Sequence, residues 1–297
     1  MNRKENVPMR RKVLAMPLML AFAASVNAAP ACEIGAIAAA TANSASLESL
    51  DWAPFRRQEF GWAIYATRIA TEIGTRCPAT SPGFATALAH WQARHALVPT
   101  GIVDPASFAV MNTRWTLARP FVVQTRDGTC PSPPLLYELA TASASESYGG
   151  KTIPLRADAL TAYRRMVADA RKSLRSRDPQ WFKIFSGFRD PVADDARCLI
   201  DGNCQGVVRA TCSAHRTGLA IDLHVGTAPG FGPDSSDDGN RRAMVRTLAY
   251  RWLVANAARF GFVNYVFEPW HWEWSPPGPA IAVPSRSAVS TARPPGP

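Results

Sequence analysis

Ser213-Ala214-His215-Arg216-Thr217-Gly218-Leu219-Ala220-Ile221-Asp222 is the stretch on which the reading of this chain turns. Ala220 to Val225 reads as a β-strand, with His215 seven residues before Asp222. On a straight strand, residues seven apart face opposite sides. Gly218, open to backbone conformations that a Cβ disfavours, supplies the turn that would bring His215 and Asp222 together.

Working outward, Trp181 to Ser186 reads as a strand entering a turn at Gly187, and Val263 to Phe267 as another. Leu160, Tyr163, Val167, Ala170 and Leu174 recur at the spacing of an amphipathic helix, and 241–260 predicts a long helix stopped at Gly261. Helices alternating with strands around one sheet read as α+β. Nearer the N-terminus, residues 47–75 carry apolar positions at helical spacing. Ser81-Pro82 opens a second helix bearing Phe84, Leu88, Trp91 and Gln92, and Asp104-Pro105 starts a third toward Phe108 and Met111. This predicts a small three-helix unit over 55–118, a linker over 119–150 and a second domain over 151–276. The Pro-rich stretch 277–297 reads as disordered.

The length of 297 residues allows about two domains at roughly 150 residues each. Hydrophobic residues at 47% and charged residues at 19% exclude wholesale disorder. Arg3, Lys4, Arg10, Arg11 and Lys12 precede an apolar run from Val13 to Val26 and the small residues Asn27-Ala28-Ala29, which reads as a signal peptide over 1–28. The run is too short to span a bilayer comfortably, so stable membrane insertion is not expected. The formal charge of +10 suits an anionic partner. No nucleic-acid reading motif accompanies it, so nucleic acid is not an expected partner. Six cysteines in an exported chain read as disulfides. Cys198 and Cys204 bracket an Asp201-Gly202-Asn203 turn and are paired; Cys32 with Cys77 would pin the N-terminal region, leaving Cys130 with Cys212. The expected location is periplasmic or cell-wall associated, and a monomer is expected.

Ser186-Gly187-Phe188-Arg189, Ser213 to Asp222, and Glu268-Pro269-Trp270-His271 carry the candidate chemistry. A catalytic zinc wants three protein ligands and one open position, and His215, Asp222 and His271 supply such a set. Glu268, three residues before His271, is placed to act on the metal-bound water as general base without being a ligand. His224 shares a strand face with Asp222 and is read either as a substitute or supporting group or as ordinary packing. Glu273 either supports a ligand or is solvated. Trp270, Trp272 and Trp274 either wall the cleft or form a core aromatic cluster. His90 and His95 read as helix-surface residues, and Arg164-Arg165 and Arg241-Arg242 as solvated helix faces.

Ser-x-His-x-x-Gly-x-Ala-x-Asp followed by Glu-x-Trp-His, about 45 residues later, resembles the zinc D-Ala-D-Ala carboxypeptidases of the VanY and VanX type, and the L-Ala-D-Glu endopeptidases are similar. The resemblance runs from Leu155 to Trp274. It implies a small antiparallel-sheet peptidase domain with flanking helices, Zn2+ at His215, Asp222 and His271, and Glu268 as general base. It also implies that Arg189 faces the substrate, a peptidoglycan stem peptide. Ser213 and Trp270 are further candidates for substrate binding. Phe188 stands where relatives commonly carry Tyr. Separately, Phe84-Ala85-x-Ala87-Leu88-x-x-Trp91-Gln92-x-x-His95-x-Leu97-x-x-Thr100-Gly101-x-Val103-Asp104-x-x-Ser107-Phe108 resembles the small helical peptidoglycan-binding domain. Together these imply an exported zinc D-alanyl-D-alanine carboxypeptidase. The alternatives are a peptidoglycan endopeptidase and a non-catalytic cell-wall-binding protein.

Overall fold

A computed structural model describes residues 32–174, 178–202 and 212–275. The expected leader 1–28, the tail 277–297 and Cys204 lie outside the described residues. The N-terminal half runs α1 (Ile37–Ser46), a hairpin of β1 (Asp51–Trp52) and β2 (Glu59–Phe60), α2 (Ala66–Glu72), α3 (Pro82–Arg94) and α4 (Pro105–Leu117). At the start of α3 the Ser81 hydroxyl accepts from the Phe84 amide at 3.3 Å, and Pro82 occupies a position that needs no N–H. Asp104 caps α4 likewise, accepting from the Ser107 amide at 2.7 Å. Two buried amides clamp the turn between these helices. Gln92 donates to Ser107 Oγ at 2.9 Å and accepts from the Gly101 amide at 2.7 Å. Asn43 of α1 donates to the Gly101 carbonyl and accepts from the Val103 amide, both at 2.8 Å. Gly101 has φ +70°, and a Cβ there would lie 2.6 Å from the Ala85 carbonyl oxygen.

Three features of this half depart from the sequence reading. Residues 47–75 do not form one helical stretch, because Pro54 has no amide hydrogen and disfavours helical backbone at Ala53. The β1–β2 hairpin takes that place, and the α-helix begins only at Ala66. The helical unit also reaches back beyond residue 55, since α1 packs on α3 and the Ala36 amide donates to Thr86 Oγ1 at 3.1 Å. The stretch 119–150, expected as a linker, is folded into the molecule. It holds α5 (Pro120–Gln124) and β3 (Leu139–Thr141), which pairs antiparallel with β4 (Pro154–Arg156).

The second half continues with α6 (Ala157–Leu174), β5 (Ile184–Ser186), α7 (Pro191–Asp201), β6 (Ala220–Leu223), α8 (Asp238–Arg246), α9 (Leu248–Asn256), β7 (Phe262–Asn264) and β8 (His271–Trp274). The chain is thus a mixture of helices and small antiparallel sheets, compatible with the expected α+β class. The single helix predicted over 241–260 is broken at Thr247, whose backbone is extended (φ −70°, ψ 153°) and whose Oγ1 accepts from the Tyr250 amide at 3.1 Å, capping α9. The strands order as β5-β6-β8-β7, all antiparallel. Ser186, Asp222 and His271 lie side by side in register across β5, β6 and β8. By strand alternation Ile221, Leu223, Trp272 and Trp274 face the other way, into a core shared with Tyr163 and Met166 of α6 and Tyr250 and Leu253 of α9. That core is continuous with Trp62, Phe84, Trp91 and Phe108 of the N-terminal half.

Cys32–Cys77 and Cys130–Cys212 are disulfides, the pairings expected from the sequence. Cys198 is also disulfide-bonded, and its expected partner Cys204 is outside the described residues.

Arg241 corrects another expectation. It is not solvated but fully buried, at 0% exposure. It donates to the Phe267 carbonyl (2.9 Å), Glu59 (3.1 Å), Asp238 (3.1 Å) and the Tyr65 hydroxyl (2.7 Å). The cause is the β1–β2 hairpin, which lays Glu59 over α8 and supplies a counter-charge from far along the chain. Removing one member of such a buried pair strands the other charge. Arg241→Ala is therefore expected to destabilise the protein by about 3–5 kcal/mol, read as a lowered urea midpoint. Arg242→Ala, which loses an exposed hydrogen bond to the Phe60 carbonyl and a partly exposed contact with Glu48, is expected to cost about 1 kcal/mol or less.

Candidate metal centre

His215 sits in a short helical turn, Ala214–Thr217, that ends at Gly218. The turn closes on itself through Thr217, whose Oγ1 donates to the Ala214 carbonyl at 2.7 Å and accepts from the Leu219 amide at 3.1 Å. Gly218 adopts φ +69°, the left-handed conformation that favours glycine, and the chain then enters β6. Asp222 lies on β6, and His271 opens β8 directly opposite it. One ligand atom from each of His215, Asp222 and His271 lies within 4.8 Å of the others, and all three residues are buried. This group has the composition and geometry to hold a metal ion.

Hydrogen bonds decide which ring nitrogens face the centre. His215 Nδ1 is 2.7 Å from the Gly187 carbonyl oxygen and can only donate to it, which leaves Nε2 for the cluster, 3.2 Å from Asp222 Oδ2. His271 Nε2 is 3.4 Å from Glu273 Oε1, which leaves Nδ1 for the cluster, 2.9 Å from Asp222 Oδ1. A second group that occupies the outward nitrogen is the usual means of orienting a metal-binding histidine.

The charges agree with this arrangement. Burial works against the Asp222 carboxylate, yet the adjoining His215 and His271 hold it well below the usual carboxylate range. Burial lowers His215. It would also lower His271, but hydrogen bonds to Asp222 and Glu273 raise that ring to about 9. Its Nδ1 proton is the one a metal ion would displace. Burial likewise opposes ionisation of Glu273, which is held at about 2 by His271 and Arg119. Glu268 stands apart. Its Oε2 is 3.9 Å from His271 Nδ1, its side chain is 32% exposed, and burial of its surroundings raises its proton affinity.

Arg189 lies between β5 and α7, with its amide donating to the His215 carbonyl at 3.2 Å. Its guanidinium is braced by Ser186 Oγ (3.1 and 3.0 Å) and reaches Asp222 Oδ2 at 3.4 Å, with the side chain 31% exposed. The fold thus gathers His215, Asp222, His271, Glu268 and Arg189 at one place. Ser213 opens the His215 turn but makes no capping hydrogen bond with its side chain. Trp270 is buried with Trp272 and Trp274 in the apolar core and offers its backbone carbonyl to the Leu223 amide at 2.9 Å. The three tryptophans therefore form core and not an exposed wall. His224 is buried, stacks on Tyr148 with ring centroids 4.8 Å apart, and is not part of the metal-competent group. His95 is half-buried, stacked on Trp91, while His90 is exposed. Phe84, Trp91 and Gln92, which carried the likeness to a wall-binding module, are all inside the helical unit and build it.

Arg119 and Phe121 were not anticipated, nor was the Gly187 carbonyl as the partner of His215 Nδ1. The alternation Trp270-His271-Trp272-Glu273-Trp274, apolar residues against polar ones at a period of two, marks β8 and pairs Glu273 with His271 on one face. No comparable local signal marks Arg119. No protein-family model matches this chain, and no curated protein matches it either.

A metal ion held only by the native fold stabilises it by about 2.7 kcal/mol at one hundred times its Kd. Adding Zn2+ or Co2+ is therefore expected to raise the unfolding midpoint of the wild type. Asp222→Ala and His215→Ala should show no such rise when metal is added.

Proposed function

We propose that this chain is an exported zinc metallopeptidase that hydrolyses peptidoglycan stem peptides, with the terminal D-Ala-D-Ala bond as its preferred cut. The observation that carries the reading is the buried His215-Asp222-His271 group with the Glu268 carboxylate beside it but outside it. Two imidazoles and one carboxylate, each with its free donor atom turned inward, are a set suited to zinc. When held there, zinc supplies Lewis acidity toward a scissile carbonyl and makes water a better nucleophile at neutral pH.

The chain's own residues supply the proton transfers and the positioning. Glu268 Oε2 accepts a proton from the attacking water as its oxygen bonds to the carbonyl carbon. The same carboxyl then delivers that proton to the departing amine as the C–N bond breaks. A carboxylate with raised proton affinity suits both halves of the transfer. Arg189, braced by Ser186, is partly exposed beside the cluster, where its planar fork holds the substrate's terminal carboxylate or the developing oxyanion. Export accords with the two described disulfides. Among the described residues no helix is long and apolar enough to cross a membrane.

The test is mass spectrometry of a pentapeptide-ended muropeptide incubated with zinc-loaded protein. Loss of one terminal alanine is the expected result. Glu268→Gln should retain one zinc per chain while kcat/KM falls by about 10²–10⁴. An internal cut would reassign the protein as an endopeptidase. Intact muropeptide beside a zinc-loaded chain would leave a wall-binding protein in its place.

A further inference from the structure

Glu273 is a buried carboxylate, 1% exposed, with a dense set of partners. On its Oε1 it accepts from Arg119 Nε at 2.8 Å and from the same guanidinium's second nitrogen at 2.5 Å. On its Oε2 it accepts from the Phe121 amide at 2.9 Å. The remaining approach to Oε1 is taken by His271 Nε2 at 3.4 Å. Arg119 follows the last turn of α4, and Phe121 belongs to α5 immediately after it, so both arrive from the N-terminal half of the chain. The Arg119 guanidinium also lies 4.1 Å from the ring centroid of Tyr265, whose amide donates to the His271 carbonyl at 3.1 Å.

We infer that Arg119 is a positioning residue for the metal centre: through Glu273 it fixes the ring of His271, so that the helical N-terminal unit is a structural part of that centre and not a detachable module. The inference rests on the proposed metal site. Without Arg119 and the Phe121 amide, nothing would hold the rotamer of Glu273, and a carboxylate so buried would turn toward water. A carboxylate rotated away no longer holds the Nε2–H of His271. The ring would then be free to turn Nδ1 away from Asp222. Arg119 supplies the counter-charge, and the Phe121 amide holds Oε2 and with it the carboxylate plane, so that Oε1 faces His271. Supporting groups of this kind commonly govern metal affinity by 10–100-fold. A second contact from the same half holds the neighbouring segment, where Arg241, bonded to Glu59 and Tyr65, donates to the Phe267 carbonyl one residue before Glu268.

The experiment measures Zn2+ affinity of the full chain by competition with a chromophoric chelator, together with the visible spectrum of the Co2+-loaded protein. The variants are Arg119→Gln, Glu273→Gln, the double variant, and Arg114→Ala as a control. Arg114 lies on α4 and pairs with Glu72, away from the centre. Arg119→Gln and Glu273→Gln are each expected to weaken zinc binding by about 10–100-fold and to alter the Co2+ spectrum. The double variant should bind as the weaker single does, because Arg119 acts through Glu273. Arg114→Ala should match the wild type. Wild-type zinc affinity and an unchanged Co2+ spectrum in folded Arg119→Gln would overturn the inference, as would losses that multiply in the double variant. If Arg119→Gln does not fold, Glu273→Gln against the double variant decides by the same rule. Equal affinities support the inference, and a further tenfold loss on removing Arg119 overturns it. A wild type that binds no zinc would instead sink the metal reading, and this inference with it.

Discussion

The register that sets Asp222 opposite His271 across β6 and β8 is the constraint on which the site depends. Directly opposed residues in an antiparallel pair bring their Cβ atoms to within about 4.5–5.5 Å on the same face. A slip of one residue would turn His271 and Glu273 into the core and bring Trp272 into the place of a ligand. The tryptophans oppose such a slip. Trp270, Trp272 and Trp274 are buried, and exposing any of them would sacrifice a large apolar surface. Core packing on one face therefore holds the polar cluster on the other in place.

A short-range device complements that register. His215 reaches the same face from outside the sheet because the turn at Gly218 reverses the chain just before β6. Gly187, at the end of β5, offers its carbonyl to His215 Nδ1 and so sets which nitrogen the ring presents. Cys130–Cys212 ties the start of the same loop to the segment leading into β3. Loops ordinarily carry much of a domain's mobility. This one is anchored at its entry by a covalent link, in its middle by a buried hydrogen bond and at its exit by a strand.

How much of this could be read from the residues depends on the range of the interaction. His215, Gly218 and Asp222 are local to one another, and their chemistry and spacing carry the turn and strand. Ser81 and Asp104 announce their helices because capping is settled within three residues. Pro54, by contrast, overrides the helical spacing around it. Arg241 looked like a solvated cation because nothing near it in sequence reveals Glu59, which lies 182 residues away. Arg119 and Glu273 are 154 residues apart and equally silent. Burial of a charge is decided by where its partner arrives, and that is a property of the assembled fold.

The three buried carboxylates at or near this face differ in their company, and the difference separates their roles. Glu59 is matched by Arg241 and Tyr65, a pairing that joins the two halves of the molecule. Glu273 is matched by Arg119 and the Phe121 amide, which leaves it able to orient His271 but not to leave its place. Asp222 is bracketed by two imidazoles and touched by Arg189, so it remains ionised and faces the centre. Glu268 has no such cage. It lies at the rim, partly exposed, on the turn between β7 and β8, where its amide donates to the Tyr265 carbonyl at 2.9 Å. A group that must take up a proton and release it needs freedom to change charge, whereas a group that orients a ligand must not. Under the proposed reading, those two requirements fall on different carboxylates, Glu268 and Glu273. The cations around the sheet are drawn from both halves of the chain, which also share one continuous core.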